Sequence, residues 1–249
     1  MPENPLLPNR RLKELLELMR RCHAIDRRNP KQLNREALLA ATAIHLEAGD
    51  ILSSDAADKA APFFAPEQKP NALVTWKAVV EPEDNVALPR TSRLALCAAM
   101  AQGLRASGTG GVVLDVTTIP STESGWADTL AYAQNARLPL LLAVADPTAG
   151  RVGRNPNTLS LPSISKIAKK LKLPVIPVDG EDAVAVYRVM QECLLRARLG
   201  EGPAVIWGIL TPLAKGAKLS RSAQPIARME KYLTVRGLLR PKTTPRPRG

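Results

Sequence analysis

Residues 111–146 read Gly-Val-Val-Leu-Asp-Val (111–116), a polar turn through Ser121-Thr122-Glu123-Ser124-Gly125, and an amphipathic run from Trp126 to Arg137. Leu138-Pro139-Leu-Leu-Leu-Ala-Val-Ala-Asp146 follows. The first and last pieces are short apolar runs with few polar interruptions, the pattern of strands buried on both faces of a parallel sheet. Between them Trp126, Leu130 and Ala133 recur at steps of three and four, which gives a helix one apolar face. Strand, helix and strand at this spacing predict a right-handed crossover unit. Both strands finish near an aspartate, Asp115 and Asp146, and open α/β sheets bind ligands outside the carboxyl ends of their strands.

The same alternation continues on either side. Pro147 to Pro162 reads as an irregular loop, Ser163 caps a basic helix to Leu171, and residues 174–178 form a strand. Glu181 to Leu199 is an amphipathic helix closed by Gly200, and residues 203–210 form a fourth strand. Pro225 to Arg236 is the last helix. Toward the amino end, Arg11 to Arg28 places Leu12, Leu15, Leu16, Met19 and Cys22 on one face, and Asn29-Pro30 stops it. Asn34 is expected to cap a second helix, Arg35 to Ala48, and Ala56 to Phe64 a short third one. Residues 67–90 read as a surface loop with at most one short strand at 73–76. Thr91 or Ser92 then caps a helix to Arg105 whose face of Ala95, Ala98, Ala99 and Gly103 is unusually small. The expectation is a doubly wound, mainly parallel α/β sheet with helices on both faces. One domain spans residues 1–239, and 240–249 form a disordered basic tail.

The chain has 249 residues, 45% of them hydrophobic, ordinary for a globular protein. Its longest apolar run, Leu138 to Ala145, is far below the roughly 18 residues that cross a bilayer. Cys22, Cys97 and Cys193 are isolated, which argues against a disulfide framework and a zinc site and for a reducing cytoplasm. The net charge of +12 suits an acidic partner or nucleic acid, but aromatic residues are only 3%, leaving little surface for stacking bases. Nucleic acid is therefore an unlikely partner. Lys166, Lys169, Lys170 and Lys172 read as a solvated helix face.

Several segments resemble a known family. Leu12-Lys-Glu-Leu-Leu-Glu-Leu-Met-Arg-Arg21, Arg35-Glu36-Ala37 and Glu47-Ala48-Gly49-Asp50 are similar to its first two helices and the following turn. Later come Val178-Asp179-Gly180-Glu-Asp-Ala-Val-Ala-Val-Tyr187, Arg196-Ala-Arg-Leu-Gly-Glu-Gly-Pro203, Gln224-Pro-Ile-Ala-Arg-Met-Glu-Lys-Tyr-Leu233 and Arg236-Gly-Leu-Leu239. In order and spacing they resemble the α subunit of the thiamine-diphosphate-dependent 2-oxo acid dehydrogenases of the pyruvate and branched-chain type. The resemblance implies the thiamine-diphosphate-binding fold, oxidative decarboxylation of a 2-oxo acid, thiamine diphosphate with magnesium, and assembly with β-type chains.

The departures fall where that family does its chemistry. Where the family carries Gly-Asp-Gly, this chain has Leu114-Asp115-Val116; where it carries Asn-Asn, this chain has Asp146-Pro147. The family's Tyr-Arg pair falls on Ala56-Ala57, and its Asp-His on Asp58-Lys59. No histidine follows the strand at 203–210; His23 and His45 lie in the first two helices and read as structural. Asp115, Glu123 and Asp146 are the candidate vestigial cofactor-binding residues. Two carboxylates can replace an Asp–Asn pair around magnesium, since both offer hard oxygens. The alternative is that strand-terminal aspartates cap the next turn or face water, and without a cation for the phosphates this is the favoured reading. Ser121-Thr122 and Thr117-Thr118 have no base nearby in sequence.

The sequence thus points to a non-catalytic α-subunit-like chain with a decayed cofactor site, a structural or regulatory partner of a β-type chain, or self-associating. No cofactor is expected for the isolated chain, and thiamine diphosphate with magnesium if the family's function is retained. The alternatives are an active 2-oxo acid dehydrogenase subunit that binds the cofactor with its partner, and a basic nucleic-acid-binding protein.

Overall fold

The structure is a computed structural model that describes residues 7–26, 34–54, 58, 60–64, 73–75, 93–119, 125–148, 159–212, 220 and 224–240. Elements run α1 (Asn9–Asp26), α2 (Glu36–Ala43), β1 (Ile51–Ser54), a 3-10 turn (Ala61–Phe64), β2 (Leu73–Thr75), α3 (Arg93–Ser107), β3 (Val113–Thr118) and α4 (Trp126–Asn135). They continue as β4 (Leu140–Asp146), α5 (Leu161–Leu171), β5 (Val175–Asp179), α6 (Ala183–Arg198), β6 (Ala204–Ile209) and α7 (Pro225–Val235). Six strands form one sheet in the order β2-β1-β3-β4-β6-β5, and every neighbouring pair is parallel. The doubly wound architecture expected from the sequence is what the chain adopts.

Period-two alternation sends side chains to opposite faces of each strand. Leu114, Val116, Leu141, Ala143, Ala145 and Ile206 pack against α1, α2, α6 and α7. Val113, Leu140, Leu142, Val144, Val205 and Trp207 pack against α3, α4 and α5. All eight residues of α2 are buried, as expected of a helix that is apolar nearly all round. It lies so close to the sheet that a Cβ on Gly208 of β6 would sit 2.8 Å from a Leu38 methyl.

Several boundaries differ from expectation. The central strand is 113–118, two residues later than 111–116, and the others shift by about one. A strand that the sequence reading omits, β1, lies between β2 and β3; Ile51-Leu52-Ser53-Ser54 is half serine and too short for a hydrophobic pattern to register. The second helix ends at Ala43 rather than Ala48. In the range expected as the third helix, the described residues hold only the 3-10 turn. Asn34 does not cap α2: it is itself left-handed (φ 64), and Arg35 stands at the cap position without a side-chain bond. Ser160, not Ser163, caps α5, with Ser163 returning the bond as the third helical residue of a capping box. Most of 67–90 and of the tail lies outside the described residues, and no described helix is long and apolar enough to cross a membrane.

Candidate cofactor site at the carboxyl edge of the sheet

The chain leaves β1 toward β2 on one side and leaves β3 toward β4 on the other. A crevice for ligands is therefore expected beyond the carboxyl ends of β1 and β3. Ser54 is fully buried there, and Asp58 follows. Glu123, Ala56 and Ala57 lie outside the described residues, as do Ser121 and Thr122.

Asp115 is not at this edge. It pairs with Ser53 on one side and Leu142 on the other, in the row that also holds Val205 and the first residue of β5, Val175. It is 1% exposed and faces Arg93 at the start of α3, whose Nη2 lies 3.4 Å from Oδ2. Arg93 Nη1 also donates to the Val116 carbonyl at 3.1 Å. The carboxylate and guanidinium neutralise one another inside the α3 side of the core. Reading the strand as 111–116 makes Asp115 look terminal; its continuation to Thr118 places it mid-strand.

Asp146 does end its strand, level with Ile209, and is 1% exposed. Its Oδ1 accepts from the Thr148 N–H at 2.8 Å and the Thr148 hydroxyl at 2.5 Å. Its Oδ2 accepts from Trp207 Nε1 at 2.9 Å. One oxygen closes the turn after β4 and the other satisfies the indole of a fully buried tryptophan, which otherwise lacks a partner for its only polar group. Asp146 lies four residues beyond Leu142, the rung of Asp115, so the two carboxylates are separated by about 13 Å along the strands. They form no common site.

Asp58, four residues beyond β1, belongs to a different structure. Arg35, 1% exposed, donates to Asp26 from Nε at 2.7 Å and Nη2 at 3.0 Å, and to Asp58 from Nη1 at 2.5 Å and Nη2 at 2.7 Å. Asp58 Oδ1 also accepts the Ala60 and Ala61 N–H groups, each at 3.0 Å. Burial pushes the Asp58 carboxyl up, but Arg35 and the two N–H groups outweigh it and hold it below its ordinary value. For Asp26 burial wins over Arg35, and the carboxyl sits above its ordinary value. The fork geometry of a guanidinium suits this double grip. Arg35 stands beside the apolar run Ala37 to Ala41, which is the only sequence signal that it is buried.

His45 Nε2 lies 3.2 Å from the Tyr187 carbonyl, and burial lowers its pKa from 6.5 to about 4. His23 Nδ1 lies 3.3 Å from Glu36 Oε1, a carboxylate partner that sequence spacing does not reveal. Burial raises the Cys22 and Cys193 thiols, the latter to about 11, so neither is an activated nucleophile. Among the described residues, no group of three His, Cys, Asp or Glu side chains could hold a metal ion.

At the far edge, Asp179-Gly180-Glu181-Asp182 makes a self-capped turn. Asp179 accepts the Glu181 N–H, Asp182 accepts those of Val184 and Ala185, and Glu181 holds the Thr211 N–H and hydroxyl. Arg228 of α7 closes on Asp179 at 2.7 Å. Residues 121–208, a span that holds α4, β4, α5, β5, α6 and most of β6, match the model of the dehydrogenase E1 component. Over those residues the chain is similar to the dehydrogenase E1 component. A pyruvate dehydrogenase E1 component subunit alpha of Porphyra purpurea is 34% identical over 99 residues, 40% of this chain and 28% of that protein. A 3-methyl-2-oxobutanoate dehydrogenase subunit alpha of Mycobacterium tuberculosis is 37% identical over 75 residues, 30% of this chain and 17% of that protein. The matched stretches of this E1-related chain thus span under a third of these relatives. A solved Mycobacterium smegmatis structure, described as a thiamin diphosphate-dependent enzyme, superposes with a TM-score of 0.51 at 16% identity, over 74% of this chain and 33% of that one. That likeness speaks to the fold alone.

The described residues do not fit magnesium and a diphosphate. Asp115 is neutralised by an arginine on the wrong rung, and Asp146 gives both oxygens to internal donors. A metal would have to displace the Trp207 indole from its only hydrogen bond.

Proposed function

We propose that the chain is a non-catalytic, α-subunit-like member of the thiamine-diphosphate-dependent 2-oxo acid dehydrogenases, with a decayed cofactor site, acting as a structural or regulatory partner of a β-type chain. The observation that carries this reading is the commitment of Asp146 to Thr148 and Trp207. The carboxylate nearest to the family's metal-binding position acts as a turn cap. The E1 match over residues 121–208 supports the family scaffold, and it takes in the Asp146 position itself. The face of α3 with Ala99 and Gly103, where a Cβ on Gly103 would meet nothing within 4 Å, supports association with a partner or a second copy. An obligate interface would bury roughly 2,000 Å² or more. Three isolated cysteines support a cytoplasmic setting.

Calorimetry of the isolated chain with thiamine diphosphate and magnesium tests the decayed site: no saturable heat is expected. A micromolar dissociation constant, abolished by Asp115→Ala or Asp146→Ala, would restore the active-enzyme reading. Purification of the chain from its source should recover a β-type chain with it. Recovery of nucleic acid in a salt-sensitive complex would favour the basic-protein reading instead.

A further inference from the structure

The charges on the two faces of the sheet are arranged differently. On the α1–α2–α6–α7 face, arginines meet carboxylates: Arg11 with Glu14, Arg20 with Glu230, Arg196 with Glu201, Arg198 with Asp50, Arg228 with Asp179. On the other face, α4, α5 and the turns that follow them carry one acidic residue, Asp128, against Arg137, Lys166, Lys169, Lys170 and Lys172. All five cations are exposed. None has a carboxylate in ion-pair reach among the described residues.

Two of them occupy positions that helix geometry reserves for glycine. Arg137 (φ 48) follows α4 and Lys172 (φ 54) follows α5, whereas α3, α6 and α7 are followed by Gly108, Gly200 and Gly237 in the same left-handed conformation. A side chain there is strained, and glycine is the ordinary solution. Lys166 and Lys170 stack one turn apart, a like-charge spacing that weakens a helix. The helix dipole accounts for cations at Lys169 and Lys170 in the last turn, but it does not require them at two left-handed corners or at Lys166. The corners are joined: Gln134 Nε2 donates to the Lys172 carbonyl at 3.4 Å, and a Cβ on Gly202 would lie 3.4 Å from Gln134 Oε1 and 3.5 Å from the Arg137 Cα. Arg137 leads into β4 and Lys172 into β5, so this patch lies at the amino ends of the strands, opposite the candidate cofactor edge.

We infer that this cationic rim, Arg137 with Lys166, Lys169, Lys170 and Lys172, is a docking surface for an acidic segment of a partner protein. The inference is independent of whether the cofactor site works. Lys166 to Lys172 spans about 9 Å of helix, and packed helices lie about 8–10 Å apart. That area matches a short run of carboxylates and touches few phosphates of an extended nucleic acid. Ile167 and Leu171, between the lysines in sequence, pack against the core of this face and, being only half-buried, keep some apolar surface beside the lysines. Tyr132 is the exposed aromatic of α4, and its hydroxyl is bonded to Gln102, which leaves little for base stacking.

Fluorescence anisotropy of the full chain with three labelled probes tests this: a short acidic peptide containing leucine, its glutamine-for-glutamate counterpart, and an oligothymidylate of equal charge. Only the acidic peptide should saturate, more tightly at low salt. Lys166→Gln/Lys169→Gln/Lys170→Gln and, separately, Arg137→Gly/Lys172→Gly should each weaken it roughly tenfold, as lost charge pairs do at an interface. The glycine pair should melt no lower than the parent, which separates docking from folding. Lys13→Gln/Arg21→Gln/Lys231→Gln, with the same loss of charge on the opposite face, should leave binding unchanged. Equal loss in that control, tighter binding of the oligothymidylate, or no saturable peptide binding by the intact chain would overturn the proposal.

Discussion

The sheet is secured by different means on its two sides. On the β1–β2 side the strands have only 4 and 3 residues, and buried charge fixes the geometry. Arg35, at the start of α2, grips Asp26 of α1 and Asp58 beyond β1. On the β3–β6 side strands of 5 to 7 residues are closed over largely by apolar side chains, and the polar ties are local ones: Arg93 meets Asp115 within the α3 side, and Arg228 meets Asp179 at the far edge. Asp146 ties one turn and one indole; Glu181 ties one loop. Short strands bury too little apolar surface to fix their own register, and directional ion pairs do so in their place. The consequence is unequal fragility. An apolar side degrades in proportion to what is removed, whereas a charge network fails when one member leaves the others buried and uncompensated.

The largest effect should therefore come from Arg35→Ala, which strands two carboxylates in the core. A loss of about 3–5 kcal/mol is expected by chemical denaturation, with the β1 side exchanging amide hydrogens before the β4–β6 side. A loss below about 1 kcal/mol, or uniform exchange across the sheet, would show that the charge network does not hold that side.

On the apolar side the matching test is Asp146→Ala, which orphans the buried Trp207 N–H and opens the Thr148 turn. About 2–3 kcal/mol is expected, within the range for an unsatisfied buried donor and a lost cap. Adding Trp207→Phe removes the orphaned donor, so the double variant should be less destabilised than the sum of the two. Strict additivity would mean that the indole and carboxylate are not coupled.

How far each side could be read in advance follows the same division. The strands at 140–146 and 204–209 are continuous apolar runs and announce themselves, because local burial on both faces leaves a local pattern. The β1 strand does not, because Ser53 and Ser54 are buried through tertiary pairing that no local pattern records. Arg35 and Asp58 are separated by 23 positions and Asp146 and Trp207 by 61; charge type alone does not reveal either partnership. Asp146 was legible as a residue that either caps or ligates, and its contacts are those of a cap. Asp115 was misplaced because its strand runs past it to Thr118. The scaffold segment 178–187 was legible through family resemblance and the Asp182 cap, which is local.

Between the two sides runs a seam that a smaller effect can probe. Arg198 of α6 donates to Asp50 at 2.7 Å and to the Gly110 carbonyl at 2.9 Å, and Asp50 in turn accepts the Val112 N–H at 2.9 Å. Arg198→Ala leaves Asp50 its backbone donors, so the expected cost is only about 1–2 kcal/mol. Arg198→Lys should recover part of it, since a lysine restores charge without the fork. Full recovery would mean that charge alone, not the shared reach to Gly110, carries the tie.

The smallest effect belongs to His45, at the same seam. Its ring lies 4.1 Å from that of Tyr187, and its Nε2 lies 3.2 Å from the Tyr187 carbonyl. Burial outweighs that hydrogen bond, and the nearby Arg11 adds to the depression, so the folded pKa falls from 6.5 to about 4. A histidine with a depressed pKa stays neutral in the fold while the unfolded chain takes up the proton. The unfolded state therefore binds more protons between pH 6.5 and about 4, and stability must fall as pH is lowered through that window. Because the residue is only partly buried, the contribution is set on the order of 1 kcal/mol. Asp58 and Asp179, both held below their ordinary value of 3.8 by arginine partners that outweigh burial, lose their contribution only at more acid pH. The two regimes are therefore separable. His45→Gln keeps a donor for the Tyr187 carbonyl but cannot titrate, so its denaturation midpoint should lose most of the slope across the histidine window while keeping the steeper acid limb. An unchanged slope would place the titrating group elsewhere; a lost acid limb would mean that the His45 contact also supports the Arg35 network on the β1 side.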